Sequence, residues 1–195
     1  MPARVRYVIV GVFACVLAAL AAVWIAALTE SDAVTPDAPA GAVAPPGARV
    51  PDFTLRDQDG RAVSPAGELS IYAFVYSTCE DTCPGMTQTV RGALDDLGRD
   101  VPVYGISVDP ANDTPARAKR FLSEQYMTGR MRFVLGSEDE LEPVWRAFGV
   151  HPQREGRDHS ARVVIVDAEG NQRIAFQPDF LTDDGLLRDL QALGA

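Results

Sequence analysis

Apolar and polar positions divide the chain into three parts. The first apolar run, Tyr7 to Leu28, has 22 residues without a charge, which is long enough for a helix to cross a hydrocarbon core of about 30 Å. Residues 29–49 are rich in Ala, Pro, Gly and Asp and lack apolar periodicity, as a flexible linker does. From residue 50 to 195, short apolar runs alternate with turn residues, which predicts one folded domain. The predicted organisation is therefore an anchor over 1–28, a linker and a domain.

The domain pattern predicts an N-terminal hairpin followed by alternating strands and helices. Alternation over Pro51 to Leu55, a turn at 57–60 and the short run Arg61 to Val63 predict the hairpin. The later segments are predicted as strands over 69–76, 101–108, 132–135, 161–167 and 172–176, and as helices over 84–97, 115–127, 138–148 and 183–193. This order indicates an α/β fold with βαβ units, in which loops meet at the carboxyl ends of parallel strands.

Helix starts carry their own signals. Pro84 suits the first position of a helix, because its missing N–H has no partner there. Thr114 before Pro115 is a second predicted start, with the threonine as N-cap. Ser137 followed by Glu140 has the spacing of a capping box.

The charge distribution predicts how the chain is oriented. Arg4 and Arg6 precede the apolar run, whereas all 27 acidic residues follow it. The positive-inside rule then predicts a cytoplasmic N-terminus and a domain on the other side of the membrane. The Ala- and Arg-rich, lysine-poor composition is typical of a bacterium, so we expect an inner-membrane protein with a periplasmic domain. A signal peptide cleaved near residue 28 is the alternative for this segment.

Net charge restricts the partners. The chain carries a formal charge of −9 with 18 basic and 27 acidic residues. Nucleic-acid binding needs clustered Lys and Arg for phosphate contacts, so we expect no nucleic-acid partner.

Two cysteines carry the candidate chemistry. Cys79 and Cys83 follow the apolar run Ile71 to Tyr76, and Pro84 comes directly after the second cysteine. This order predicts one thiol in a loop and one at a helix entrance, where backbone N–H groups and the helix dipole favour the thiolate. Two nearby thiolates suit a soft metal or reversible disulfide chemistry. The third cysteine, Cys15, lies in the first apolar run.

A histidine is the candidate third ligand. His159 lies two residues before the predicted strand over 161–167 and has Asp158 and Ser160 as neighbours, whereas His151 lies in a polar stretch. We therefore favour His159. Two thiolates suit Cu(I), and an added imidazole helps to hold Cu(II). Structural zinc takes four protein ligands, and the sequence has no second cysteine pair.

Five further residues have simpler interpretations. Asp109 comes before a proline at a strand end, and we expect it to serve loop geometry rather than the metal. The others are expected in the core: Met86, Met127, Trp145 and Phe148.

Four stretches together resemble the SCO/SenC family, copper chaperones for assembly of cytochrome c oxidase. They are residues 75–84 with a Cys-x3-Cys-Pro signature, 105–110 followed by 113–115, 158–160, and 166–170. The resemblance implies a thioredoxin-like fold in which Cys79, Cys83 and His159 bind Cu(I) and Cu(II). It implies a metallochaperone rather than an enzyme. The partner would be oxidase subunit II, whose binuclear copper centre is to be metallated, or a copper-donor protein.

Thiol–disulfide exchange is the alternative function. Cys79 and Cys83 would then form a redox-active disulfide that reduces the cysteines of the same subunit or acts in redox signalling. Thioredoxins use Cys-x-x-Cys, whereas three residues separate the cysteines here. A purely structural disulfide is a weaker interpretation, because a short closed loop gains little stability from the cross-link.

Overall fold

The structure is a computed structural model that describes residues 15–17, 19–20, 38–65, 67–153 and 161–195. The chain divides into two compact units, Met1–Ala38 and Pro39–Ala195. In the first unit, residues 15–17 and 19–20 are helical. Within the described residues, no helix combines the length and apolarity needed to cross a membrane. The anchor predicted over 7–28 lies mostly outside the described residues and stays a prediction.

The second unit is built from strands and helices in the predicted alternation. Its strands are β1 (Ala42–Val43), β2 (Leu55–Asp57), β3 (Ala62–Val63), β4 (Ser70–Val75), β5 (Val103–Ser107), β6 (Met131–Leu135), β7 (Arg162–Val166) and β8 (Gln172–Phe176). Its α-helices are α1 (Thr82–Leu97), α2 (Pro115–Glu124), α3 (Glu138–Phe148) and α4 (Asp183–Ala192), and a 3-10 helix covers Pro178–Phe180.

The strands form a mixed eight-stranded sheet in the order β1-β8-β7-β4-β5-β6-β2-β3. The central strands β4, β5 and β6 are parallel, whereas β7 is antiparallel to β4. β2 and β3 pair as the predicted hairpin. The carboxyl ends of β4 and β5 and the start of β7 therefore lie at the same end of the sheet.

β4 lies between two apolar layers. Its side chains alternate, so Ile71, Ala73 and Val75 pack with α1, α2 and α4, whereas Tyr72 and Phe74 pack with α3. All six residues of the strand are buried. β4 is thus a rigid support for the loop that follows it.

Two of the three predicted helix starts are confirmed. Thr114 caps α2 by accepting the Arg117 N–H, and Ser137 forms a complete capping box with Glu140. The placement of Pro84 at the first helical position is wrong, because α1 begins two residues earlier. The first turn of a helix tolerates proline at its later positions as well, since those N–H groups also lack intrahelical partners.

The last part of the linker predicted over 29–49 is not a free linker in the structure but packs against the folded unit. Ala42 and Val43 form β1, which pairs antiparallel with β8. The buried Asp189 on α4 accepts hydrogen bonds from the backbone N–H groups of Ala40 and Gly41 at 2.9–3.0 Å. We call residues 40–43 the N-terminal strap. Its composition resembles a linker, whereas the contacts that order it come from residues more than 100 positions away.

Candidate metal centre

The two cysteines of the second unit lie where β4 ends and α1 begins. The chain leaves β4 through Tyr76 and a turn at Ser77 and Thr78. The Cys79 N–H donates to the Tyr76 carbonyl at 3.3 Å and closes this turn. Cys79 is half-buried, and Cys83, the second residue of α1, is fully buried. The two sulfurs are not joined in a disulfide. The fold thus presents one accessible sulfur and one hidden sulfur.

The sulfur of Cys79 caps the start of α1. The N-cap residue, Asp81, makes no side-chain capping hydrogen bond. Instead, the Cys83 N–H donates to Cys79 Sγ at 3.2 Å. The sulfur therefore satisfies one of the N–H groups that a helix start leaves without a partner, at the positive end of the helix dipole.

The same contacts separate the pKa values of the two thiols. A hydrogen bond from the Cys83 thiol lowers the pKa of Cys79 most; burial opposes this, and the N–H groups of Cys83 and Asp81 add to it, giving a pKa of about 5. The hydrogen bond to Cys79, together with burial, raises the pKa of Cys83 far above its ordinary value. These contacts therefore favour the thiolate at Cys79 and the neutral thiol at Cys83.

This pair can do two kinds of chemistry. An ionised, accessible sulfur beside a second thiol is a soft donor pair of the kind that Cu(I) prefers. Binding a metal through both sulfurs would release the proton of Cys83. The pair also fits thiol–disulfide exchange, since a low-pKa thiolate is a nucleophile and its neighbour can resolve the mixed disulfide.

The preferred third ligand, His159, lies outside the described residues. The described chain resumes at Ala161, just before β7, where Arg162 pairs with Phe74 near the end of β4. Over the described ranges, no group of three His, Cys, Asp or Glu side chains is placed to hold a metal ion. The other histidine, His151, is exposed and lines a cavity of about 430 Å³ that neither cysteine lines.

A carboxylate to which the sequence analysis assigned no role connects the cysteine loop to the next strand. Asp113 Oδ1 accepts hydrogen bonds from Ser77 N at 2.7 Å and Ser77 Oγ at 2.5 Å, and its Oδ2 accepts one from Ser107 Oγ at 2.5 Å. Burial raises the pKa of Asp113, although these donors oppose the rise. The sequence feature that could have indicated it is a pair of serines, Ser77 just after β4 and Ser107 at the end of the neighbouring β5, where Ser107 pairs with Val75.

The remaining candidates are placed as expected. The carboxylate of Asp109 accepts two contacts from Asn112 Nδ2 at 2.9 and 3.1 Å, and therefore serves its own loop. Four side chains are buried in the core: Met86, Met127, Trp145 and Phe148. Trp145 also donates its indole N–H to the Ser107 carbonyl at 2.8 Å, which steadies the end of β5.

Comparison with known proteins extends the resemblance. The sequence model of the family described as SCO1/SenC matches residues 42–193. The SCO1 protein homolog of Bacillus subtilis is 29% identical over 139 residues, covering 67% of this chain and 66% of that protein. A SCO2-like protein of Rickettsia conorii is 27% identical over 135 residues, covering 61% and 64%. The matched part spans just under two thirds of the length of these relatives.

Solved structures show the same architecture. ScoI of Bradyrhizobium japonicum with copper bound is 28% identical, with a TM-score of 0.59, and the match covers 74% of this chain and 99% of that one. BsSco, described as a Sco-family cytochrome c oxidase assembly protein with a disulfide switch, is 25% identical with a TM-score of 0.67, covering 78% and 96%. These matches confirm the thioredoxin-like α/β fold. With the family match over most of its length, the chain belongs to the SCO1/SenC family.

Proposed function

We propose that this chain binds copper through Cys79, Cys83 and His159 and assists assembly of cytochrome c oxidase. The observation that carries the proposal is the sulfur pair at the start of α1, where Cys79 is half-buried, Cys83 is fully buried and the Cys83 N–H donates to Cys79 Sγ. The lowered pKa of Cys79 supports it. The similarity to solved Sco proteins with copper bound supports copper as the metal. Copper is the cargo here, and the two sulfurs are its soft ligands.

Each ligand has a distinct part in this proposal. Cys79 is the more exposed sulfur, so it makes the first contact with incoming copper and leaves first during ligand exchange. Cys83 is held in the first turn of α1 and retains the metal longer. His159 supplies the third ligand in this proposal. Its imidazole favours Cu(II) more than Cu(I).

The recipient and the location are further parts of the proposal. We place the binuclear copper centre of oxidase subunit II as the recipient and a copper-donor protein upstream. Residues 7–28 would anchor the chain in the bacterial inner membrane, with the folded unit in the periplasm, in keeping with the two preceding arginines. Protease treatment of intact spheroplasts tests this topology, because a periplasmic domain is digested without lysis.

Copper titration of the reduced full-length chain tests the binding proposal. We expect one-to-one Cu(I) binding against a competing chelator, lost in Cys79→Ser and in Cys83→Ser. His159→Ala is expected to weaken Cu(II) binding more than Cu(I) binding. Cys15→Ser is the matched control, because it removes the one cysteine outside the proposed site and should bind like the parent chain. Tight binding that survives loss of both Cys79 and Cys83 would contradict the proposal.

Thiol–disulfide exchange is the second candidate, favoured by the pKa of about 5 at Cys79. The Cys79 thiolate would attack a substrate disulfide and form a mixed disulfide. Cys83, after losing its proton, would then attack Cys79 Sγ and release the substrate as a dithiol, leaving the Cys79–Cys83 disulfide. Rapid reduction of a test disulfide by a chain that does not compete for Cu(I) would favour this function over copper delivery.

A further inference from the structure

A buried carboxylate holds the loop that carries Cys79. Asp113 is only 9% exposed, and its three accepted hydrogen bonds come from Ser77 and Ser107. Ser77 lies two residues before Cys79, and Ser107 is the last residue of β5. The carboxylate therefore spans from the end of the second parallel strand to the loop that follows the first.

The contacts fix the loop in two ways. The bond to the Ser77 N–H constrains the backbone, and the bond to its hydroxyl constrains the side chain of the same residue. Asp113 is itself fixed, because its own N–H donates to the Asp109 carbonyl at 2.9 Å. Two residues further on from Ser77, the Cys79 sulfur accepts the Cys83 N–H. The carboxylate thus fixes the position of Ser77, from which the loop leads to Cys79 and α1.

The donors to this carboxylate are neutral. Within the described part of the chain, Asp113 takes part in no ion pair. Burying a carboxylate without a cation has a large desolvation cost, which the three accepted hydrogen bonds offset. A carboxylate offers acceptor sites on two oxygens, and here one oxygen faces the loop and the other faces β5.

We propose that Asp113 is a positioning residue for the metal-binding loop, and that it sets the place of Cys79 relative to Cys83 by holding Ser77 to the end of β5. That the metal is copper rests on the proposed function. The positioning of the two sulfurs does not, because it applies equally to their disulfide.

Asp189 provides the matched control. It is also a buried aspartate, 2% exposed, that accepts backbone N–H groups from a distant segment. Its partners, Ala40 and Gly41, belong to the N-terminal strap and not to the cysteine loop. Asp189→Ala therefore removes an anchor of the same kind from a different place.

The experiment compares the full-length parent chain with Asp113→Ala, Asp113→Asn, Ser77→Ala and Asp189→Ala. Three quantities are measured on each: the thermal midpoint, the Cu(I) affinity and the midpoint potential of the Cys79–Cys83 disulfide. Asp113→Ala is expected to lower the Cu(I) affinity by about 10- to 100-fold, as loss of an outer-shell partner does. With Cys79 less well placed, its disulfide should be at least tenfold easier to reduce, which is about 30 mV in potential.

The conservative and partial variants separate positioning from general stability. Asn at 113 retains an oxygen for Ser77 and an amide for Ser107, so it should restore most of the affinity and potential. Ser77→Ala removes one hydrogen bond and should give a smaller change in the same direction. Asp189→Ala should lower the thermal midpoint while leaving both the affinity and the potential unchanged.

The disulfide potentials of the variants decide whether Asp113 positions the loop. The proposal is overturned if folded Asp113→Ala matches the parent chain in potential, or if Asp189→Ala changes the potential as much. If Asp113→Ala does not fold, Ser77→Ala decides, because an unchanged potential there overturns the proposal and a raised one supports it. A parent chain that binds no Cu(I), combined with a potential that responds to Asp113 alone, refutes the copper function and supports the positioning role.

Discussion

The starts of α1 and α3 solve the same problem with different atoms. At α3, the Glu140 N–H donates to Ser137 Oγ at 3.4 Å, and the Glu140 carboxylate accepts the Ser137 N–H at 2.8 Å. At α1, the N-cap side chain makes no capping bond, and the Cys79 sulfur accepts the Cys83 N–H. Oxygen caps serve the stability of a helix. The sulfur at α1 caps the helix and is also the reactive atom of the site.

The difference shows how the helix start couples structure to chemistry. The dipole and free N–H groups of α1 act on a titratable, soft atom, so they favour its thiolate. The same groups at α3 act on a hydroxyl and a carboxylate that bind no soft metal.

The largest effect is expected from giving α1 an oxygen cap. Serine in Cys79→Ser can still accept the Cys83 N–H, so the thermal midpoint should change little. Cu(I) affinity should fall by more than about 100-fold, beyond what loss of an outer-shell contact causes. Chelator competition and thermal unfolding measure the two effects.

The converse exchange is the control. Ser137→Cys, made in the Cys79→Ser background, places a sulfur at the start of α3. A single thiol there has no neighbouring cysteine, so we expect no recovery of Cu(I) binding. Recovery would show that any sulfur at a helix start is sufficient.

The next effect concerns the pH dependence of the Cys79 thiol. Because its pKa is lowered to about 5, alkylation by iodoacetamide should rise with pH to a half-maximum near 5 and level off by about pH 7, where an ordinary thiol is still mostly protonated. Cys83→Ala removes the hydrogen bond that lowers this pKa most, and should move the half-maximum to higher pH. The rates are measured by mass spectrometry in a Cys15→Ser background. A parent half-maximum above pH 8 would refute the lowered pKa.

Local patterns allowed much of the fold to be predicted. β8 has the predicted bounds, and the capping box at Ser137 is present because both partners lie within four residues. The hairpin was predicted, but its first strand is Leu55–Asp57 rather than residues 51–55. The alternation over 51–55 reflects side chains that are alternately exposed and partly buried, and not strand pairing. The bounds of β2 are set by its pairing with β6, whose residues are distant in sequence.

The parts of the site that were missed are long-range contacts. The hydrogen bond between Asp113 and Ser77 joins residues 36 positions apart, and neither residue has a local pattern that requires it. The pKa difference between Cys79 and Cys83 likewise depends first on the hydrogen bond between the two thiols and then on the deeper burial of Cys83. The role of His159, outside the described residues, stays a prediction.

A smaller effect is expected from removing the oxygen cap of α3. Ser137→Ala should lower the free energy of unfolding by about 1 kcal/mol, the usual loss for an N-cap serine. Denaturant titration measures it. Cu(I) affinity should not change, since α3 supplies no ligand in the proposal. Ser123→Ala, at an exposed position inside α2, is the control and should not destabilise, because alanine is the better helix former. Equal losses in the two variants would contradict the capping role.

The smallest effect is expected at Glu140, and it tests the charge of the α3 cap. The Ser137 N–H and then the Ser137 hydroxyl lower the pKa of Glu140. A carboxyl group whose pKa is lower in the folded state stabilises the fold above its unfolded pKa, and this contribution disappears as the pH falls through the folded value. Glu140→Gln keeps a capping acceptor without the charge, so it should be slightly less stable than the parent at pH 7, and the difference should vanish once the pH falls below the lowered pKa of Glu140. A difference that is constant with pH would mean that the carboxylate charge adds nothing to the cap. In that case the electrostatic effect of a helix start would be apparent only at α1, where it acts on a sulfur.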